Sequence, residues 1–255
     1  MRGARRSLHP AAAMRLLLLN GNTDTGVTER LARHARARLD ATGRAAVALR
    51  PATARFGARY ISSRAAVAVA GHAVLDAIAA QAGTVDAVAI ACFGEPGLLA
   101  AREVAGVPVR GMAEASIEAG LALAPRIALL TGGAAWVPML HELVFSLGLP
   151  AERIDIRSVT PTGDMIARDP DGALALLAAE ARTAAAAGAG AIILGGAGLV
   201  GLAPRLAERT GLPALDSLDC LLDAALRPPR GTPPATVGGT PSIGLAPALE
   251  RLLAG

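Results

Sequence analysis

The chain has no lysine, and every one of its 25 basic residues is an arginine. That excludes a lysine Schiff base with pyridoxal phosphate and the lysine of a phosphate-binding P-loop. Aromatic residues are scarce, with one Trp, one Tyr and three Phe. Any core must therefore be built from Ala, Leu, Val and Ile, and there is little on which nucleic-acid bases could stack. Excess charge is also slight. Of the formal net charge of +4, three units come from Arg2, Arg5 and Arg6, which leaves no basic stripe and no reason to expect a nucleic-acid partner. Two cysteines, Cys92 and Cys220, make no disulfide framework and suit a reducing cytoplasm. No run approaches the ~18 apolar residues of a membrane span, so no membrane partner is expected. His9, His34, His72 and His141 lack ligand spacing, so no metal is expected. There is also no G-x-S-x-G nucleophile elbow.

What the chain does contain is an alternation of apolar runs and helical stretches. RLLLL (15–19), AAVAL (45–49), AVAIA (87–91), VPV (107–109) and RIALL (126–130) read as strands. Helices are predicted from about Thr25 to Thr42, near Ser63–Gln81, after Pro96 and from Glu114. Strands alternating with helices give an α/β fold with a mainly parallel sheet covered on both faces. The opening MRGARRSLHPAAAMRLLLLNGN resembles a signal peptide superficially, but Arg15 breaks its apolar stretch. Residues 1–13 are therefore expected to be a disordered extension, with Met14 a candidate initiator. A Pro/Gly-rich segment and a short last helix, APALERLLA, fill 227–255.

The pattern repeats. LLLLNGNTDTGVTERL (16–31) is mirrored by IALLTGGAAWVPMLHEL (127–143), and AVAIACFGEPGLLAAREVAGVPVRG (87–111) by AIILGGAGLVGLAPRLAERTGLPALD (191–216). The expected architecture is two pseudo-symmetric lobes, 14–112 and 113–226, facing each other across a cleft. Ligands of such sheets bind beyond the carboxyl ends of the strands. Gly196, Gly198 and Gly201 spell G-x-G-x-x-G, and Asp216 follows at the end of the next apolar run. Too little parallel sheet could follow residue 216 for a dinucleotide domain, so this turn is read as a cleft loop and no cofactor is expected.

Cys92 ends a buried strand and precedes FGEPG, a turn into a helix. There the helix N-terminus and free N–H groups are expected to lower its pKa. Cys220, at helical spacing with Leu221 and Leu222, reads as core. Asn20 and Asn22 are the only asparagines in the chain and share one strand-end loop with Thr23, a donor cluster suited to a carboxylate or ureido group. Thr131 is the counterpart of Asn20 in the repeat. ARYISSRAAVAVAGH (58–72) offers Arg59, Tyr60, Ser62 and Ser63, of which Ser62 is the candidate for reaching a ligand.

With these pieces assembled (LLLLNGNT, IACFGEPGLLAARE, VPVRGMAEAS, LLTGG, IILGGAGL and LPALD), the chain resembles the Asp/Glu/hydantoin racemase superfamily over roughly 14–226. The resemblance implies cofactor-independent proton transfer at a carbon next to a carboxylate or amide, with two cysteines flanking that carbon. Cys92 sits at the first cysteine position, while the second is Gly196. A base and an acid on opposite faces are needed for racemisation, whereas one thiol suffices for one-face chemistry, as in arylmalonate decarboxylase of the same superfamily. The expectation is a cofactor-independent isomerase or lyase. Cys92 is the acid/base, and Asn20, Asn22, Thr23, Ser62, Thr131 and the backbone at Phe93, Gly94, Gly196 and Ala197 form the substrate cradle. The alternatives are a true racemase with a non-cysteine second base, or an inactive small-acid binding protein. Expected partners are a small carboxylic acid, amino acid or hydantoin-like substrate and further copies of the chain.

Overall fold

The computed structural model describes residues 13–160, 163–228, 239 and 241–254. The expected N-terminal extension and most of the Pro/Gly-rich segment therefore lie outside the described residues. The first half runs β1 (Arg15–Asn20), α1 (Thr25–Ala41), β2 (Ala48–Thr53), α2 (Arg64–Ala80), β3 (Ala87–Ile90), α3 (Leu98–Val104), β4 (Val109–Gly111) and α4 (Met112–Leu123). The second runs β5 (Ile127–Gly132), α5 (Trp136–Ser146), β6 (Ile154–Val159), α6 (Gly163–Arg168), α7 (Pro170–Ala186), β7 (Ala191–Gly195), α8 (Ala203–Thr210), β8 (Ala214–Asp216), α9 (Ser217–Ala225) and α10 (Pro247–Ala254). Two four-stranded sheets result, in the orders β2-β1-β3-β4 and β6-β5-β7-β8. Every pairing is parallel. The two halves share one topology, as the repeat requires.

The helices start where short polar side chains can accept the first free N–H groups. Asp24 accepts from Val27 at the head of α1, Ser63 from Ala66 at α2, and Asp169 from Gly172 at α7. Strand side chains alternate between faces, and here both faces are apolar because helices cover both. On the inner faces Leu16 and Leu18 of β1 join Ile127 and Leu129 of β5 and Ile193 of β7 in one cluster. On the outer faces Leu17, Leu19, Val88 and Ile90 pack against Val74 and Ile78 of α2. Leu130, Ile192 and Leu194 likewise meet Leu174 and Leu177 of α7 and Leu206 of α8. Each fully buried Leu or Ile contributes about 1.5–3 kcal/mol relative to an exposed one.

The inner cluster is continuous because two helices cross over. α4 follows β4 of the first sheet yet packs on β7 of the second, and α9 follows β8 yet packs on β3 and β4 of the first. Met112 and Ile117 of α4 and Leu218, Leu221 and Leu222 of α9 lie in the shared cluster. So α9, placed with the second lobe by the 113–226 boundary, covers the first sheet. Polar contacts hold it there. His34 Nε2 lies 2.8 Å from Asp219 Oδ1, and Arg38 and Arg44 both reach Asp223. Differences from the sequence reading are local, and β2 lies at Ala48–Thr53 rather than 45–49. β4 is offset to Val109–Gly111, α4 starts at Met112, and β6 has no counterpart among the strands read from the sequence.

Candidate active site

The carboxyl ends of β1, β3, β5 and β7 surround a cavity of about 400 Å³. Of the residues singled out from the sequence, Asn20, Asn22, Cys92, Phe93, Thr131, Gly196 and Ala197 line it. The register explains the meeting. Leu19 pairs with Ile90 in the first sheet and Thr131 with Gly195 in the second, so the loops after these strands leave at one level. The Phe93 ring lies against Gly195, where a Cβ would come within 2.6 Å of it. That contact brings the Cys92 loop onto the Gly196 loop. Gly196 has φ +128, and a Cβ built on it would meet nothing within 4 Å.

Asn20 is 1% exposed and spends its amide internally. Its Nδ2 donates to Asn22 Oδ1, the Asp24 carbonyl and Thr28 Oγ1, and its Oδ1 accepts from the Asn22 N–H. Asn20 thus shapes the loop. Asn22 Oδ1 also accepts from the Asp24 N–H at 2.9 Å, and the residue lines the cavity. Thr131 is buried and lines the cavity.

Three of the selected residues do not line the cavity. Thr23 ties the loop to residue 58 through its N–H, which donates to the Ala58 carbonyl at 3.1 Å. Ser62 is exposed, and its neighbour Ser63 is the one that caps α2. Gly94 is a glycine for steric reasons, since a Cβ there would come within 2.5 Å of the Trp136 ring. In their place the cavity recruits Asp24, Arg30, Arg59, Tyr60, Trp136 and Arg168. Arg59 pairs with Asp24 at 3.3 Å.

The environment of Cys92 corrects one expectation. Burial pushes the thiol up to about 11, partly offset by the Gly94 N–H and reinforced by Glu95. The helix expected to lower it, α3, begins only at Leu98 and is seven residues long, too far off for its N-terminus to act within one turn. Desolvation of the thiolate wins. Cys220 is buried and pushed up to about 12 for the same reason.

The G-x-G-x-x-G turn is closed by the protein itself. Asp216 accepts from the Gly201 N–H and from the Leu218 N–H, so its carboxylate braces the loop and caps α9. His34, Asp216 and Asp219 bring one ligand atom each to within 4.8 Å of one another, a grouping that spacing along the chain does not reveal. His34 and Asp219 are already paired in the α1–α9 contact, Asp216 caps α9 and braces the Gly201 turn, and none of the three lines the cavity.

The family model described as Asp/Glu/Hydantoin racemase matches residues 16–225. The chain belongs to the Asp/Glu/hydantoin racemase family. As a member of that family it is 36% identical over 146 residues to a hydantoin racemase of Rhizobium meliloti, a match that covers 57% of this chain and 61% of that one. It is 32% identical over 209 residues to a hydantoin racemase of Paenarthrobacter aurescens, covering 81% and 87%. The crystal structure of allantoin racemase from Pseudomonas fluorescens superposes with a TM-score of 0.78 at 28% identity, over 83% of this chain and 89% of that one. The two-lobe α/β architecture is thus the family's.

Proposed function

We propose that this family member is a cofactor-independent isomerase or lyase in which Cys92 moves a proton at the carbon beside a carboxylate or amide of a hydantoin-like substrate or small acid. The observation that carries the reading is the asymmetry of the cavity: a thiol at the end of β3, and a glycine with open space at the matching loop of β7. A thiol held up to about 11 keeps its proton at neutral pH. It is therefore ready to protonate a carbanion or enolate from its own face. The enolate oxygen would be met by the Asn22 amide, the Thr131 hydroxyl and the backbone of the Gly196–Ala197 turn, which are donors fixed in place before the reaction. Arg30 and Arg59 outnumber Asp24 around the cavity, so its charge balance favours an anionic substrate or intermediate. The hydantoin and allantoin racemases among the relatives support a cyclic ureide as the substrate class. In this reading the enzyme acts in the cytoplasm as a homo-oligomer. No described helix is long and apolar enough to cross a membrane.

The names of those relatives favour a second reading, a true racemase whose other base is not a cysteine. Hydrogen exchange in deuterated buffer over a panel of hydantoins, amino acids and malonates separates the two. Deuterium incorporation or decarboxylation with a single configuration is expected. Inversion by the unmodified enzyme would favour the second reading, and binding without exchange would leave only a small-acid binding protein.

A further inference from the structure

Glu95 is the most heavily constrained ionisable residue beside the cavity, and the proposed reaction gives it no role. It is 3% exposed. Among the described residues it alone, apart from glycines, has φ in the left-handed region, at 46°, a conformation that persists only when the surroundings enforce it. Its backbone braces the turn at both ends, because its N–H donates to the Cys92 carbonyl at 2.9 Å and its carbonyl accepts from the Leu98 N–H at 3.1 Å. Its carboxyl hangs on the start of α4, where Oε1 accepts from the Glu114 N–H at 2.7 Å and the Ala113 N–H also points to it. Oε2 is buried with no partner among the described residues. Gly111 makes room for this carboxyl, since a Cβ there would come within 2.2 Å of it.

We propose that Glu95 is the positioning residue of the Cys92 thiol: it anchors the strained turn that presents the thiol to the cavity, and its charge state sets how readily the thiol gives up its proton. The proposal rests on Cys92 being the reacting thiol. Burial pushes the Glu95 carboxyl up to about 8, so it is mostly neutral at pH 7 and becomes charged before the thiol, held up to about 11, loses its proton. The other charges around it are already engaged. Arg102 of α3 pairs with Glu114 of α4, and across the neighbouring cavity, which Glu95 lines, Arg64 pairs with Glu142. Ionised Glu95 opposes the thiolate of Cys92. Thiol reactivity should therefore climb more slowly than for an isolated thiol while Glu95 ionises, between about pH 7 and 9.

The test is the rate of Cys92 alkylation by iodoacetamide against pH, followed on its peptide by mass spectrometry. For the unmodified protein the expected rise averages less than tenfold per pH unit between about 7 and 9 and returns to tenfold above that. Glu95→Gln keeps an acceptor for the Glu114 N–H but cannot ionise. It should restore the full tenfold rise and label roughly threefold faster near pH 9.5. A purely structural Glu95 would leave the two profiles superimposed, and that result overturns the proposal. If the variant does not fold, the unmodified protein decides alone, because a tenfold rise per unit throughout is equally contrary. Labelling needs no turnover, so a negative result here leaves the role of Cys92 in catalysis untouched.

Discussion

Placing a thiol opposite Cys92 tests the two-face geometry, and Gly196→Cys does so with a cost that can be worked out beforehand. No heavy atom lies within 4 Å of the new Cβ, so there is no overlap to relieve. The strain is in the backbone, because φ +128 is a conformation that residues with a side chain rarely adopt, at about 1–3 kcal/mol. For a chain of this size each kcal/mol lowers Tm by about 2–4 °C, so a fall of roughly 2–12 °C is expected. On any chiral substrate that the parent exchanges without inversion, the variant should cause loss of optical rotation in deuterated buffer. The double variant with Cys92→Ser should not. If a folded Gly196→Cys protein exchanges the substrate but never inverts it, the two loops do not address opposite faces of one carbon. A much larger fall in Tm would instead mean that the space beside Gly196 is filled in solution.

Leu129→Ala empties a fully buried position in the cluster that both lobes share. It should cost about 2–5 kcal/mol and still give one urea transition. Two separated transitions would show that α4 and α9 do not couple the lobes. The contact of His34 with Asp219 raises the His34 pKa. Its contribution to stability is therefore complete below the unfolded value of 6.5 and lost as pH rises through the folded value. The urea midpoint of the parent should fall across that window relative to Asp219→Asn, and parallel pH profiles would refute the linkage. No NAD or NADP should bind by calorimetry, because the Asp216 carboxylate is taken by Gly201 and Leu218. Micromolar affinity would contradict that assignment.

Much of the fold is legible because buried parallel strands are written as uninterrupted apolar runs. RLLLL and RIALL fall within two residues of β1 and β5 at every bound, and the repeat between them gives the matching sheet orders. β6 escapes because Asp155 and Arg157 interrupt its run. Arg157 bonds back to Asp155 and to Glu180, so the strand carries charge that only its neighbours make tolerable. The exchange of α4 and α9 is invisible for another reason: a helix leaving a strand can cover either sheet, and sequence order does not say which. At the cavity, strand-end residues such as Cys92 and Thr131 could be found from the alternation. Arg30 and Arg168 could not, since they arrive from the sides of helices whose rotation depends on tertiary packing. Glu95 left one faint signal, a large acidic side chain between Gly94 and Pro96 in a tight turn. Only its φ and its burial turn that signal into an argument.

The most direct test of the central claim is the rate of solvent-deuterium incorporation into the best substrate of the panel by Cys92→Ala, measured beside the unmodified enzyme with folding checked by circular dichroism. Loss of an acid/base side chain costs about 10²–10⁴-fold. Exchange by a folded Cys92→Ala protein is therefore expected to fall by at least about 10²-fold. A folded variant that exchanges the substrate at the unmodified rate would show that the proton moves through another group and that Cys92 is not the catalytic thiol.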